Sequence, residues 1–233
     1  MNQEERATQY DGIGAKYLEA QRTFYASNPD SARIFIHCKI DWPSKAYDKN
    51  KNKTLLDLGC GTGLDLVKYL EKGFDAYGTD ASKVMLAEAM SLVAPERLKL
   101  ARHTNIPFRD EFFDTVVTRF SLHYLDKEEL KETYKEVARV LKPNGDFIAV
   151  ARHPLVDLMA KPTKDYYKEE ETQVNVYGRI NVRAPSHMLR DYLSPLIRLF
   201  DLVDFEEGID QADIVKESRF KIPTYIAFKA KKR

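Results

Sequence analysis

Thr54-Leu55-Leu56-Asp57-Leu58-Gly59-Cys60-Gly61-Thr62-Gly63-Leu64 decides how the rest of the chain is read. Thr54 to Leu58 is a β-prone run, apolar except at Thr54 and Asp57. Three of the chain's ten glycines follow at alternate positions, and a helical pattern resumes at Leu64. The pattern predicts strand, tight loop, helix. Glycine has no Cβ, so such a loop takes unusual dihedrals and lets a ligand lie against the backbone. It also feeds a helix N-terminus, where unpaired N–H groups and the positive dipole end face outward. A flat or anionic ligand is expected there.

A dinucleotide loop reads G-x-G-x-x-G and cradles a pyrophosphate. This loop reads G-x-G-x-G, with Asp57 two residues before the first glycine. A carboxylate there repels a pyrophosphate but pairs with an ammonium group. No G-K-[ST] follows, which excludes a phosphate-cradling P-loop. A second acidic residue, Asp80, closes the next strand, Phe74-Asp75-Ala76-Tyr77-Gly78-Thr79-Asp80. It lies about 20 positions beyond the first glycine, the spacing of a carboxylate that grips ribose hydroxyls. An ammonium group and a ribose without a pyrophosphate fit S-adenosylmethionine.

Asp57-Leu58-Gly59-Cys60-Gly61-Thr62-Gly63 followed by Gly78-Thr79-Asp80-Ala81-Ser82 resembles the class I S-adenosylmethionine-dependent methyltransferases, in their small-molecule branch. The likeness continues in order through Ile106-Pro107-Phe108, Phe113-Asp114-Thr115-Val116-Val117, Leu122-His123-Tyr124 and Arg139-Val140-Leu141-Lys142-Pro143-Asn144-Gly145. It covers residues 54 to about 151 closely and the flanks loosely. The fold it implies is α/β and Rossmann-like. A mostly parallel seven-stranded sheet has helices on both faces, an antiparallel last strand and an inserted cap after the fifth strand.

Composition sets the frame. The 233 residues suit one α/β domain with an insertion. Lysine plus arginine (37) nearly equals aspartate plus glutamate (36), so no global field favours nucleic acid or membrane. The two cysteines, Cys38 and Cys60, imply no disulfide framework. The polar start is unlike a signal peptide, and no apolar run approaches spanning length. A soluble cytoplasmic protein, monomeric or homodimeric, is expected.

Along the chain, residues 4–26 carry Tyr10, Ile13, Tyr17, Leu18 and Phe24 at helical spacing. Ser27-Asn28-Pro29-Asp30 reads as a turn, Ser31 to Lys45 as a helix, and Lys45 to Lys53 as a solvated linker. Strands are expected at 54–58, 74–79, 97–101, 112–118 and 146–151. Helices are expected at 64–72, 82–94 (capped by Ser82) and 127–141 (capped by Asp126). Lys142 to Gly145 reads as a turn. Residues 152–185 break the rhythm, with short extended pieces around Tyr166, Tyr167, Val174, Val176 and Tyr177. Ser186 is expected to cap a helix to about Leu199, before strands at 200–206 and 223–231. Such alternation means crossover units, a parallel sheet and a ligand beyond the carboxyl ends of its strands. The parts are a helical lid (1–53), a cofactor-binding core (54–151), a substrate cap (152–185) and the rest of the core (186–233).

The resemblance implies site roles. Asp57 would hold the methionine ammonium, with Gly59, Cys60, Gly61, Thr62 and Gly63 as the loop beneath it. Asp80 would bind the ribose hydroxyls, and Ala81, Ser82 and Met85 would pack the adenine. Arg119 and Phe120 would lie against the methionine moiety, and Tyr10 and Tyr17 would close as a lid. Arginine stands at position 102, where relatives have an acidic residue for the adenine amino group. Arginine offers no acceptor, so the adenine grip is expected either to differ or to be carried by backbone groups of His103, with Thr104 beside it in the cofactor site. For the acceptor, His123, Tyr124, Arg152, Tyr166, Tyr167 and Tyr192 are candidates. His123, His153 and His187 are candidate general bases, with a structural histidine the preferred reading of His123. No metal-ligand spacing joins the histidines.

Three functions compete: methylation of a small molecule at oxygen or nitrogen, methylation of RNA or protein, and a silent cofactor-binding domain. The balanced charge and the tyrosine-rich insertion favour the first. The Asn/Asp-Pro-Pro-Tyr/Phe signature of amino-methylating nucleic-acid enzymes is absent, because Arg119-Phe120-Ser121-Leu122 stands in its place.

Overall fold

Leu55 and Leu56 are neighbours and both fully buried. A strand achieves this only by sending them to opposite faces of a sheet that is covered on both sides. Val116 with Val117, and Phe147 with Ile148, repeat the pairing in the next two strands of the sheet. The computed structural model describes residues 3–11, 13–27, 31–43, 53–176, 180–209 and 222–233.

Three helices come first: α1 (Gln3–Asp11), α2 (Gly14–Ser27) and α3 (Ser31–Lys39). The crossover units follow as β1 (Thr54–Leu58), α4 (Leu64–Glu71), β2 (Asp75–Asp80), α5 (Lys83–Ala89), β3 (Leu98–Leu100), β4 (Phe113–Arg119), α6 (Lys127–Val140) and β5 (Leu141–Arg152). The inserted segment holds α7 (Pro154–Ala160) and a hairpin of β6 (Glu171–Val176) and β7 (Ile180–Pro185). Then come α8 (Leu189–Leu196), β8 (Phe200–Gly208) and β9 (Tyr225–Lys232).

The main sheet runs β3-β2-β1-β4-β5-β9-β8. β1 to β5 are mutually parallel where they pair, and β9 is antiparallel to both neighbours. This is a Rossmann-like sheet with one reversed strand. Leu56, Val116 and Phe147 pack with α6 and α8 on one face, through Leu130, Tyr134, Val137, Tyr192 and Leu196. Leu55, Val117 and Ile148 pack with α3, α4 and α5 on the other, through Ile36, Leu66, Tyr69 and Leu86.

Local rules explain most boundaries. Ser82 caps α5, its hydroxyl accepting from the amide of Met85 at 3.2 Å. Asp126 caps α6 in a reciprocal box, accepting from the amide of Glu129 at 2.9 Å while Glu129 accepts from Asp126. Arg139 in the last turn of α6 donates to the carbonyls of Ile106 and Phe108, both at 2.8 Å, and fixes the loop before β4.

Several expected boundaries are corrected. α3 ends at Lys39, not Lys45, because Trp42 turns back to donate to the carbonyl of His37 at 2.9 Å and packs near Phe74. α5 stops at Ala89, and β3 is only three residues long. The turn at Lys142–Gly145 lies within β5 as a bulge. Phe113 pairs with Leu141 and Thr115 with Asp146, and Asn144 takes a φ of 60°. Ser186 does not cap α8. Its hydroxyl accepts from the amide of Glu170 at 3.0 Å, and Asp191 instead accepts from the amide of Met188 at 2.8 Å. Asn28 to Asp30, residues 44–52 and Tyr177 lie outside the described residues.

Lys161 is 1% exposed. Its ammonium donates to the carbonyls of Asp165 at 2.9 Å, Tyr166 at 3.3 Å and Lys168 at 2.5 Å, closing the turn between α7 and β6.

Phe147 is fully buried, its ring 5.6–5.8 Å from those of Tyr134, Phe200 and Phe228. Phe147→Ala is expected to destabilise the fold by ~3–5 kcal/mol. Urea denaturation should show a lower midpoint with unchanged slope. A loss below ~1 kcal/mol would contradict the close packing of this layer.

Candidate functional site

The glycine loop closes over the end of β2. The amides of Gly59 and Cys60 both donate to the carbonyl of Thr79, at 2.8 and 2.9 Å. Gly59 has a φ of +80°, and a Cβ there would stand 2.7 Å from that of Ser121 and 3.2 Å from the His103 ring. Gly61 has a φ of +53°, and a Cβ there would meet nothing within 4 Å. The loop is therefore jammed against β4 at its first glycine and open at its second.

That open side faces a cleft with about 670 Å³ of empty space, its mouth included. Gly59, Gly61, Asp80, Ala81, Ser82, Met85, His103, Arg119, Phe120 and Ser121 line it from below. Arg6, Tyr10, Tyr17, Tyr124 and Leu125 line it from above and beside. It lies beyond the carboxyl ends of β1, β2 and β4, where parallel sheets bind their ligands.

Asp80 is the carboxylate at its edge. One oxygen accepts from the amide of Gly61 and the other from that of Ser82, both at 2.9 Å. Burial raises its pKa, while the N–H groups of Ser82, Gly61 and Ala81 pull the other way. Asp57 lies deeper, 4% exposed, with Oδ2 lacking a hydrogen-bond partner among the described residues. Burial pushes its pKa well up, and the charge of Asp65 adds to this. Asp65 opens α4 and bridges Arg33 at 2.7 Å and Arg119 at 2.9 Å. Burial works against its charge, but the two guanidinium groups hold it at about 2. This bridge orients Arg119 at the cleft and ties α3 to the core.

α1 and α2 roof the cleft. Tyr10 sits edge-on to both Tyr17 and Tyr124, at 5.6 and 5.7 Å, and its hydroxyl bonds that of Tyr124. Ala20, Ile180 and Val182 pack with these three rings, so the β6–β7 hairpin backs the roof. Polar ties reach different elements. Ser82 donates to Asp11 and Thr62 to Gln21, at 2.7 and 2.8 Å, and the amide of Arg183 donates to Gln9 at 2.7 Å.

Comparison with known proteins agrees with this geometry. Residues 56–149 match a family described as a methyltransferase domain. This core is a class I S-adenosylmethionine-dependent methyltransferase domain. YcgJ of Bacillus subtilis, called an uncharacterized methyltransferase, is 28% identical over 63% of this chain and 54% of its own length. A demethylmenaquinone methyltransferase of Paenarthrobacter aurescens is 28% identical over 70% of this chain and 61% of its own. The chain thus covers less than two thirds of these relatives. An S-adenosylmethionine-dependent methyltransferase structure from Mesorhizobium loti superposes with a TM-score of 0.62 over 80% of this chain and 94% of that one, at 20% identity. The last comparison shows the shared fold.

The cofactor of this methyltransferase domain is S-adenosylmethionine. The residues fit it: an open glycine at position 61 and a pinned carboxylate, Asp80, at the end of β2.

The structure sorts the expected site residues. Tyr10, Tyr17, Gly59, Gly61, Asp80, Ala81, Ser82, Met85, His103, Arg119 and Phe120 surround the cleft. Asp57, Cys60, Thr62, Gly63 and Thr104 do not line it. Cys60 packs into the core against Gly78, and Gly63 packs on Ala89. Arg6, Ser121 and Leu125 line it without having been singled out. Ser121 donates to the carbonyl of Leu58 at 3.2 Å, which leaves its oxygen to accept from His103 at 2.9 Å. A polar residue directly after Phe120 was its only signal in the sequence. Arg6 carried none.

Among the acceptor candidates, Tyr124 alone lines this cleft. Tyr192 is fully buried in the core, so it cannot meet an acceptor there. Tyr166 is committed to accepting from the amide of Leu189 at 2.8 Å, and Tyr167 is 76% exposed. Arg152 is buried in an ion pair with Asp157 and donates to Thr172 at 3.0 Å. His153 caps α7, Nδ1 accepting from Leu155 at 3.0 Å, while Nε2 meets Glu207 at 2.7 Å. With both nitrogens occupied, His153 is a structural residue. His123 is 3% exposed, and burial with the Arg152 charge drives its pKa well below the ordinary range. Among the described residues, no group of three His, Cys, Asp or Glu is placed to hold a metal ion.

A second cleft, with about 660 Å³ of empty space, is lined by Arg6, Asp126, Lys127, Glu169, Glu170, Glu171, Pro185, Ser186 and His187. Arg6 borders both clefts and pairs with Glu129. His187 is the one candidate base that lies on this second cleft.

Burial lowers the pKa of His103 from 6.5 to about 4. Between those values the unfolded chain binds a proton that the folded chain refuses, so stability falls as pH drops through this window. His103→Gln is expected to remove up to ~1.4 kcal/mol per pH unit from that slope. Urea titrations at several pH values test this, and an unchanged slope would refute a buried neutral imidazole.

Proposed function

We propose that this chain transfers the methyl group of S-adenosylmethionine to an oxygen or nitrogen of a small-molecule acceptor. The observation that carries the reading is Asp80, a carboxylate pinned by two amides at the rim of a glycine-floored cleft. Its remaining lone pairs suit two ribose hydroxyls, and Met85 and Ala81 offer the neighbouring apolar surface for an adenine. The edge of the cleft formed by Arg119 and Phe120 suits the methionine end, with Asp57 buried beneath it.

The cofactor supplies an activated methyl on a sulfonium, so the protein's work is alignment and exclusion of water. Holding the reactants in line contributes ~7–11 kcal/mol in favourable systems. Tyr10, Tyr17 and Tyr124 do this by closing the cleft from above. Support for a small acceptor comes from the near-neutral charge and from the relative whose printed activity is on demethylmenaquinone.

Calorimetric titration with S-adenosylmethionine and S-adenosylhomocysteine, with NAD as control, tests the reading. Charge-assisted hydrogen bonds contribute ~1.5–3 kcal/mol each, so Asp80→Ala should weaken both by on the order of 10²-fold. Unweakened binding in a folded Asp80→Ala protein would remove the assignment of this cleft. Binding followed by methyl transfer to a screened acceptor would complete it.

A further inference from the structure

The roof of the cofactor cleft is built from three phenol rings, although exclusion of water does not by itself call for aromatic side chains. Tyr10 lies 5.6 Å from Tyr17 and 5.7 Å from Tyr124, with interplanar angles of 80° and 84°. All three border the cleft and are half-buried. They also pack with Ala20, Ile180 and Val182, which back the roof. An aromatic ring is negative on its face and positive at its edge. With the planes near perpendicular, a group set against Tyr10 and either neighbour meets the face of at least one ring, except along the single line their planes share.

Polar ties place these rings along the length of the ligand. Ser82 donates through its hydroxyl to Asp11 at 2.7 Å and through its amide to Asp80 at 2.9 Å. Tyr10, next to Asp11, is thereby held on the side of the carboxylate that suits the ribose. Tyr124 comes from the other side, in the turn that follows Arg119 and Phe120 at the methionine end. The hydroxyls of Tyr10 and Tyr124 meet in a hydrogen bond, so the pair spans the interval between those two ends. In S-adenosylmethionine the sulfur occupies that interval. It joins the ribose to the methionine chain and carries a fixed positive charge. Two guanidinium groups, those of Arg6 and Arg119, also border the cleft. Attraction for a cation at the sulfur must therefore come from Asp80 below and from the rings above.

We propose that Tyr10, Tyr17 and Tyr124 recognise the charge of the sulfonium through their ring faces, and so hold S-adenosylmethionine more tightly than S-adenosylhomocysteine. This rests on the methyl-transfer reading above and adds to it a device for turnover. In the reaction the acceptor's lone pair forms the new bond to the methyl carbon, and the carbon–sulfur pair returns to sulfur. The sulfur becomes a neutral thioether, the ring–cation attraction disappears with the charge, and the spent cofactor is let go.

The test is calorimetric titration of the full chain with S-adenosylmethionine, S-adenosylhomocysteine and sinefungin, whose protonated amine takes the place of the methylated sulfur. The wild-type chain should hold the two cations more tightly than the neutral thioether. Tyr10→Leu and Tyr124→Leu keep apolar bulk but remove a ring, and each should cut the preference for S-adenosylmethionine over S-adenosylhomocysteine by ~10-fold. Tyr10→Phe loses the hydroxyl contact but keeps the ring, and should retain the preference. A purely apolar roof would instead weaken all three ligands alike in the leucine variants. That result, sinefungin binding no more tightly than S-adenosylhomocysteine, or a wild-type chain that favours S-adenosylhomocysteine, would overturn the proposal and leave the cofactor assignment standing. A wild-type chain that binds none of the three would overturn both.

Discussion

The amide of Gly61 donating to the carboxylate of Asp80 joins the ends of two adjacent strands across the mouth of the sheet. This bond sets where the glycine loop stops and how far it stands from β2. Because Gly59 is wedged under Ser121, the loop has no freedom on its other side. The cleft is therefore a consequence of backbone geometry at the strand ends, with side chains only furnishing it. The same carboxylate orders the entry to α5, since its second oxygen holds the amide of Ser82, the cap of that helix. One residue thus serves loop, strand end and helix start together, which is why the surrounding core tolerates so little slack.

Much of this was legible in the sequence because the relevant forces are local. The glycine spacing, the Ser82 and Asp126 caps and the paired apolar residues of β1, β4 and β5 act within a few positions of themselves. The errors arise where a distant partner wins. Ser186 has the right chemistry to cap a helix, but Glu170 claims it from across the hairpin. Trp42 reads as helical, yet its indole finds a better place on Phe74. Site residues follow the same division. Asp80 and the loop around Gly61 are named by their strand-end position. Tyr192 and His153 sit beside the insertion in sequence, but the direction of a side chain is decided by packing, and both turn inward or cap a helix. Arg6 and Leu125 reach the cleft only through the tertiary arrangement of α1 against the start of α6.

The polar interior divides into two kinds of group. Asp65 bridges Arg33 and Arg119, Arg152 pairs with Asp157, and such contacts hold elements in register. His103, His123 and His187 are instead buried as neutral rings, which removes their charge from the interior and leaves fixed donors and acceptors. A core built this way keeps its hydrogen-bond pattern constant across the neutral pH range, because none of these imidazoles titrates there.

Lys161 shows what such commitment means for reactivity. Its amine is turned inward and all three N–H bonds are spent on carbonyls of the following turn. Acylating reagents attack a free, solvent-facing amine, so this lysine is shielded while lysines such as Lys135 and Lys168 stand open at the surface. Labelling at position 161 would accordingly report the opening of the turn after α7, turning a structural latch into a built-in gauge of how often that segment comes apart.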